Sequence, residues 1–216
     1  MKKNLTELVF ILDRSGSMSG LESDTIGGYN SMIKKQKTED GEANVSTVLF
    51  DDKVEMLNKR VSIQEVGALT EKEYFVRGCT ALLDAIGQTI HYMGNVQKYA
   101  KEEERAGKVL FVITTDGYEN SSKEYSYDTI KKMIQHQKDR YQWEFIFLGA
   151  NIDAAETARQ VGIDEDHATN YVADSRGTEL NYQAMNIAIS CCRSEGSIDN
   201  RWKEEVERDY KKRNKK

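Results

Sequence analysis

Four runs of largely apolar residues, at 8–12, 45–50, 108–114 and 144–148, constrain this chain most. Their apolar residues are nearly continuous rather than alternating, so each run reads as a strand covered on both faces. Helical spacings lie between them. Leu83, Ile86, Ile90 and Met93 mark one helix, and Ile130, Met133, Ile134 and Gln137 another. Leu180, Ala184, Ile187 and Cys191 mark a third, whose stripe turns Cys191 toward the core. Asp153 and Glu156 form a capping box, with Gly162 as the stop. Strands alternating with helices give βαβ units, hence an α/β fold with a mainly parallel sheet. Phe50-Asp51-Asp52-Lys53-Val54 breaks the rhythm as a tight hairpin, with Asp51 and Asp52 as turn residues and an antiparallel edge strand at 54–57. The 216 residues suit one domain with an extension, large enough to need no disulfide or metal staple. A single domain over 1–195 and a charged, helical tail over 196–216 are expected.

Charge and cysteine usage exclude several functions. The net charge is −5, but residues 201–216 carry +4 and the rest −9. An acidic body argues against nonspecific nucleic-acid binding, and the basic end at 211–216 reads as a solvated terminus. No apolar stretch approaches the 18 residues of a membrane span. Met1-Lys2-Lys3 is followed by too short an apolar run for a signal peptide. Cys79, Cys191 and Cys192 are an odd set with two neighbours, which suits free thiols in a reducing compartment and a cytoplasmic location. Proline is absent, which excludes Pro-rich linkers and polyproline ligands.

In open α/β sheets, ligands sit outside the carboxyl ends of the strands. After the first run stands Asp13-Arg14-Ser15-Gly16-Ser17, and after the third Thr114-Thr115-Asp116-Gly117. Gly78-Cys79-Thr80-Ala81-Leu82 precedes the central helix. Together they offer two carboxylates, Asp13 and Asp116, and three hydroxyls, Ser15, Ser17 and Thr80. All are hard oxygen donors and suit a hard divalent cation, Mg²⁺ first, with Mn²⁺ or Ca²⁺ as substitutes. Gly16 allows the tight turn that points both serines one way.

Asp13-x-Ser15-x-Ser17, then Thr80, then Asp116 resembles the metal-ion-dependent adhesion site of the von Willebrand factor type A family. The flanking Leu8-Val9-Phe10-Ile11-Leu12, the stretch from Gly78 to Ile86, and Ile113-Thr114-Thr115-Asp116-Gly117 resemble that family too. The resemblance covers roughly residues 5–190. It implies a three-layer, Rossmann-like fold, with six strands, one antiparallel edge and helices on both faces. It implies Ser15, Ser17 and Thr80 as direct metal ligands, and Asp13 and Asp116 acting directly or through water, with Gly16 and Gly117 just behind. It further implies that an Asp or Glu of a protein partner completes the coordination, so a monomeric, non-enzymatic protein-interaction module is expected. An acidic body repels such a partner at long range, so recognition would be local rather than steered.

Asp84, one turn into the central helix, either orients a loop hydroxyl or metal-bound water or is a first-turn acid favoured by the helix dipole. His91, His136 and His167 form no ligand spacing and read as surface residues. Cys79 reads as a small packed residue beside Thr80. The rival function is a haloacid-dehalogenase-like phosphotransferase with Asp13 as nucleophile. That chemistry needs a second Asp two residues on, where Ser15 stands. No G-x-G-x-x-G or P-loop is present.

Overall fold

The computed structural model describes residues 1–214; Lys215 and Lys216, the end of the basic tail, lie outside the described residues. The first apolar run is the middle of a strand, β1 (Lys2–Asp13), at the centre of the sheet. Its side chains alternate between two apolar layers: Leu8, Phe10 and Leu12 face one, Val9 and Ile11 the other. This double burial is why the run shows no polar alternation. The other runs become β2 (Glu42–Phe50), β4 (Ala106–Thr115) and β5 (Glu144–Gly149). The hairpin at Asp51 feeds β3 (Val54–Ser62), antiparallel to β2, as expected but longer. β6 (Ala168–Asn170) completes a six-stranded sheet in the order β3-β2-β1-β4-β5-β6, otherwise parallel.

One layer holds α1 (Glu22–Gln36), α5 (Ser175–Glu195) and α6 (Glu204–Arg213); the other holds α2 (Leu82–Tyr99), α3 (Tyr127–Tyr141) and α4 (Ala154–Val161). Asp153 accepts from the Glu156 amide and Gly162 closes α4 at φ 88°, as the capping pattern requires. In α5 the stripe is displaced from the expected one. Met185, Ala188, Ile189 and Cys192 are buried, whereas Ile187 is 39% exposed and Cys191 is half-buried. The buried face is broad enough to hold Leu180 and Ala184 on its flank, and Cys192, not Cys191, is the core thiol. The tail is helical, and its Trp202 and Val206 lie in the same apolar layer as α5. Among the described residues no helix is long and apolar enough to cross a membrane.

The chain leaves β1 toward β2 on one side and returns to β4 on the other. The crevice at the carboxyl ends of β1 and β4 is therefore the topological switch point of the sheet. Asp13 ends β1 and Asp116 follows β4 there.

Candidate metal centre

The loop after β1 folds back at once. Ser15 caps a short 3-10 turn over Gly16–Met18. The Ser15 amide donates to Asp13 Oδ1 at 2.7 Å, and the Thr115 hydroxyl donates to Asp13 Oδ2 at 2.5 Å. Tyr74 donates its phenolic hydrogen to the Asp13 carbonyl at 2.5 Å. Asp13 is thus fully buried with both carboxylate oxygens engaged. Burial raises its pKa, opposed by the Thr115 and Ser15 hydrogen bonds.

The three hydroxyls form one cluster. Ser15 Oγ lies 3.0 Å from Ser17 Oγ, and the Thr80 hydroxyl donates to Ser15 Oγ at 3.0 Å. Gly117 lies over them: a Cβ there would stand 3.0 Å from Ser17 Oγ and 3.2 Å from Thr80 Oγ1. The structure therefore brings Asp13, Ser15, Ser17, Thr80 and Gly117 to one place at the switch point. Asp116 joins them with a different status. It is 2% exposed, yet neither carboxylate oxygen has a hydrogen-bond partner. Burial pushes its carboxyl up to about 6, and the Asp13 charge adds to this; the nearby Ser17 hydroxyl opposes the rise without making a hydrogen bond. A buried carboxylate with no partner is unfavourable unless a cation or proton arrives. The orphaned Asp116 and the cradle that a Gly117 Cβ would fill both fit a divalent metal ion. Among the described residues no group of three or more His, Cys, Asp and Glu could hold one, so a metal here must use the hydroxyl oxygens.

Three expectations change at this site. Gly16 does not adopt a positive φ; its small size lets its amide reach the Gly78 carbonyl at 3.1 Å, where a Cβ would come within 3.3 Å of that oxygen. Gly78, at φ 68°, carries the left-handed turn instead. Cys79 is exposed rather than packed, whereas Thr80 and Ala81 after it are buried, their amides donating to Asn120 Oδ1 and the Asp51 carbonyl. Of the two readings of Asp84, the first-turn acid of α2 stands, and its carboxylate accepts from the amides of Lys123, Glu124 and Tyr125, so it holds loop backbone rather than a hydroxyl.

Residues outside the motif complete the frame. Asn120 Oδ1 accepts from the Thr80 amide at 2.9 Å, and Glu119 accepts from the amides of Ser121, Ser122 and Leu83. Asp51 is wholly buried between Arg14 and Arg77, both Nε atoms reaching its Oδ2. Burial alone would raise the Asp51 carboxyl; the Arg77 hydrogen bond, the Lys53 amide and the Arg14 charge together hold it below its ordinary value. His91 and His136 are exposed, and His167 pairs with Glu144 at 3.1 Å away from the site.

No family model matches the chain, and no curated protein matches it in sequence. Solved structures do match. A von Willebrand factor type A protein from Catenulispora acidiphila is 16% identical over 87% of this chain and 42% of that one, with a TM-score of 0.59. Manganese-loaded TRAP protein of Plasmodium vivax is 14% identical over 83% of this chain and 73% of that one, at 0.55. Proximal thread matrix protein 1 from the mussel byssus, with a zinc-occupied adhesion-site motif, is 13% identical over 82% and 44%, at 0.53. The chain spans under half the length of the bacterial and mussel structures. With the sheet order, the antiparallel edge strand and the two helical layers, these likenesses identify the fold as that of the von Willebrand factor type A domain.

Proposed function

We propose that this chain is a metal-dependent protein-interaction module. Ser15, Ser17 and Thr80 would hold a divalent cation directly, Mg²⁺ by preference, and Asp13 and Asp116 would hold it directly or through water. The bound cation supplies an electrophilic point to which an Asp or Glu of a protein partner can add. The observation that carries this reading is Asp116, buried with two unpartnered carboxylate oxygens beside three hydroxyls. Asp13 is pre-oriented by Thr115 and the Ser15 amide, so little rearrangement is needed to receive a charge. The manganese-loaded Plasmodium vivax structure and the zinc-occupied mussel structure support divalent binding at such a fold.

The chain acts by binding rather than catalysis in this reading. Ser15, two residues beyond Asp13, carries a hydroxyl that does not titrate near neutral pH, so the phosphotransferase rival lacks its acid/base group. Three free cysteines among the described residues support a reducing, cytoplasmic setting. A monomer fits the reading. Titration calorimetry with Mg²⁺ tests it: one site is expected in the wild type and none in Asp13→Ala or Ser15→Ala. Equal binding by all three proteins would overturn the metal assignment. Aryl-phosphate turnover lost in Asp13→Asn would restore the enzyme.

A further inference from the structure

Arg14 is an unexpected residue to find buried. It stands between Asp13 and Ser15, yet its side chain is 1% exposed and turned away from Asp13. Its Nε donates to Asp51 Oδ2 at 2.9 Å, Nη2 to Glu55 at 2.7 Å and Nη1 to the Glu73 carbonyl at 3.2 Å. Arg77 Nε reaches the same Asp51 oxygen at 2.7 Å. The Phe75 ring lies against both guanidiniums, 5.4 Å from Arg14 and 5.0 Å from Arg77. A fully buried ion pair is weak support for stability, because apolar side chains of similar volume often serve as well or better. Its placement is more informative. The Asp51 carbonyl accepts from the Ala81 amide at 2.8 Å, one residue after Thr80. The Arg77 amide donates to the Arg14 carbonyl at 2.9 Å, and the Gly16 amide to the Gly78 carbonyl at 3.1 Å. One residue is therefore tied to the chain neighbours of Asp13, Ser15 and Thr80 at once. By drawing the Arg14 guanidinium away, it also leaves Asp13 and Asp116 without a nearby cation of the protein's own.

We propose that Asp51 is a positioning residue for the metal loops: clamped between Arg14 and Arg77, it fixes the loop of Ser15 against the loop of Thr80, and metal affinity depends on that clamp. The proposal rests on the metal reading above. Outer groups that orient metal ligands typically change affinity by ~10–100-fold when altered.

The test is Mn²⁺ titration calorimetry on the full chain at 15 °C, with wild type, Asp51→Asn, Arg77→Gln and, as a control outside the clamp, Glu103→Gln, an exposed residue before the start of β4. Asp51→Asn should weaken Mn²⁺ binding by ~10–100-fold and Arg77→Gln by a smaller factor, on the order of several-fold. Glu103→Gln should change it by less than about twofold, on the same scale. A merely structural role would lower the melting temperature without moving the Mn²⁺ affinity of the folded variant. Amide exchange supplies a second readout: the Gly16 and Ala81 amides should exchange faster in both clamp variants, with Ile113 in β4 unchanged. Folded Asp51→Asn and Arg77→Gln proteins that bind Mn²⁺ as wild type does would overturn the clamp and leave the metal reading standing. Should Asp51→Asn fail to fold, Arg77→Gln decides alone, since it leaves the buried Arg14–Asp51 pair intact. A wild type that binds no Mn²⁺ overturns the metal reading and the clamp together.

Discussion

Replacing Asp116 with Asn should make the metal-free protein more stable, although it removes a residue from the proposed site. The carboxyl of Asp116 is pushed up to about 6 in the folded chain, from an ordinary 3.8, chiefly by burial. The folded state therefore holds this proton more tightly than the unfolded state does. Its contribution favours folding fully below about pH 4 and is lost as the pH rises through about 6. The interval corresponds to about 3 kcal/mol at most, and to about 1–2 kcal/mol once water at the rim beside the exposed Ser17 is allowed for. Asn keeps the shape and carries no charge at any pH. In chelator at pH 7, Asp116→Asn should melt about 3–6 °C above wild type, given the response expected for a chain of this size. At pH 4 the two should melt together. Mg²⁺ at a hundred times its dissociation constant should add about 2.7 kcal/mol to wild type and little to the variant, reversing their order at pH 7. Thermal unfolding followed by circular dichroism, from pH 4 to 8 with and without Mg²⁺, reads all three comparisons. A variant less stable than wild type at pH 7 in chelator would show instead that Asp116 has a favourable partner in the metal-free protein.

Other consequences are local. Gly117→Ala places a methyl 3.0 Å from Ser17 Oγ and 3.2 Å from Thr80 Oγ1. It should weaken Mn²⁺ binding at least ~10-fold by calorimetry while lowering stability by no more than the ~1–3 kcal/mol of an overpacked site. Asp84→Ala leaves three amides of residues 123–125 without their acceptor. It should lower stability by about 2 kcal/mol and speed exchange of those amides, and unchanged exchange would show that Asp84 does not hold the loop. Trp202→Ala removes a side chain that is 1% exposed in the α5 layer. It should cost about 3–5 kcal/mol in urea unfolding, whereas a loss within ~0.5 kcal/mol would mark the tail as a surface appendage.

The sheet was legible because its strands are buried on both faces, and double burial writes a continuous apolar run. The exception is β6, three residues of Ala, Thr and Asn, whose place depends on pairing with β5 and not on its own hydrophobicity. In α5 one apolar stripe at helical spacing was visible, but the buried face is set by what α1 presents to it. Gly28, for example, leaves room for the Tyr182 ring, where a Cβ would come within 2.2 Å. The candidate ligands were readable because they occupy short motifs directly after strands. Their supports were not. Asp51 looks like any turn aspartate, and its Lys53 hydrogen bond is indeed a turn contact. Its burial comes from Arg14 and Arg77, which lie 37 and 26 residues away in sequence. Asn120 and Glu119 likewise act on Thr80 and Leu83 across 40 and 36 residues. Local patterns carry no record of such distances.

In the reading proposed above, five oxygen-bearing side chains at the β1–β4 switch point hold one divalent cation. Anomalous difference density from a crystal of this protein soaked in Mn²⁺ tests it most directly. One dominant peak is expected, bordered by the Ser15, Ser17 and Thr80 hydroxyls at the roughly 2.0–2.6 Å oxygen distances of hard divalent cations, with Asp13 and Asp116 reaching it directly or through water. No peak there in a crystal whose site is open to solvent, or a peak only elsewhere on the molecule, would contradict it.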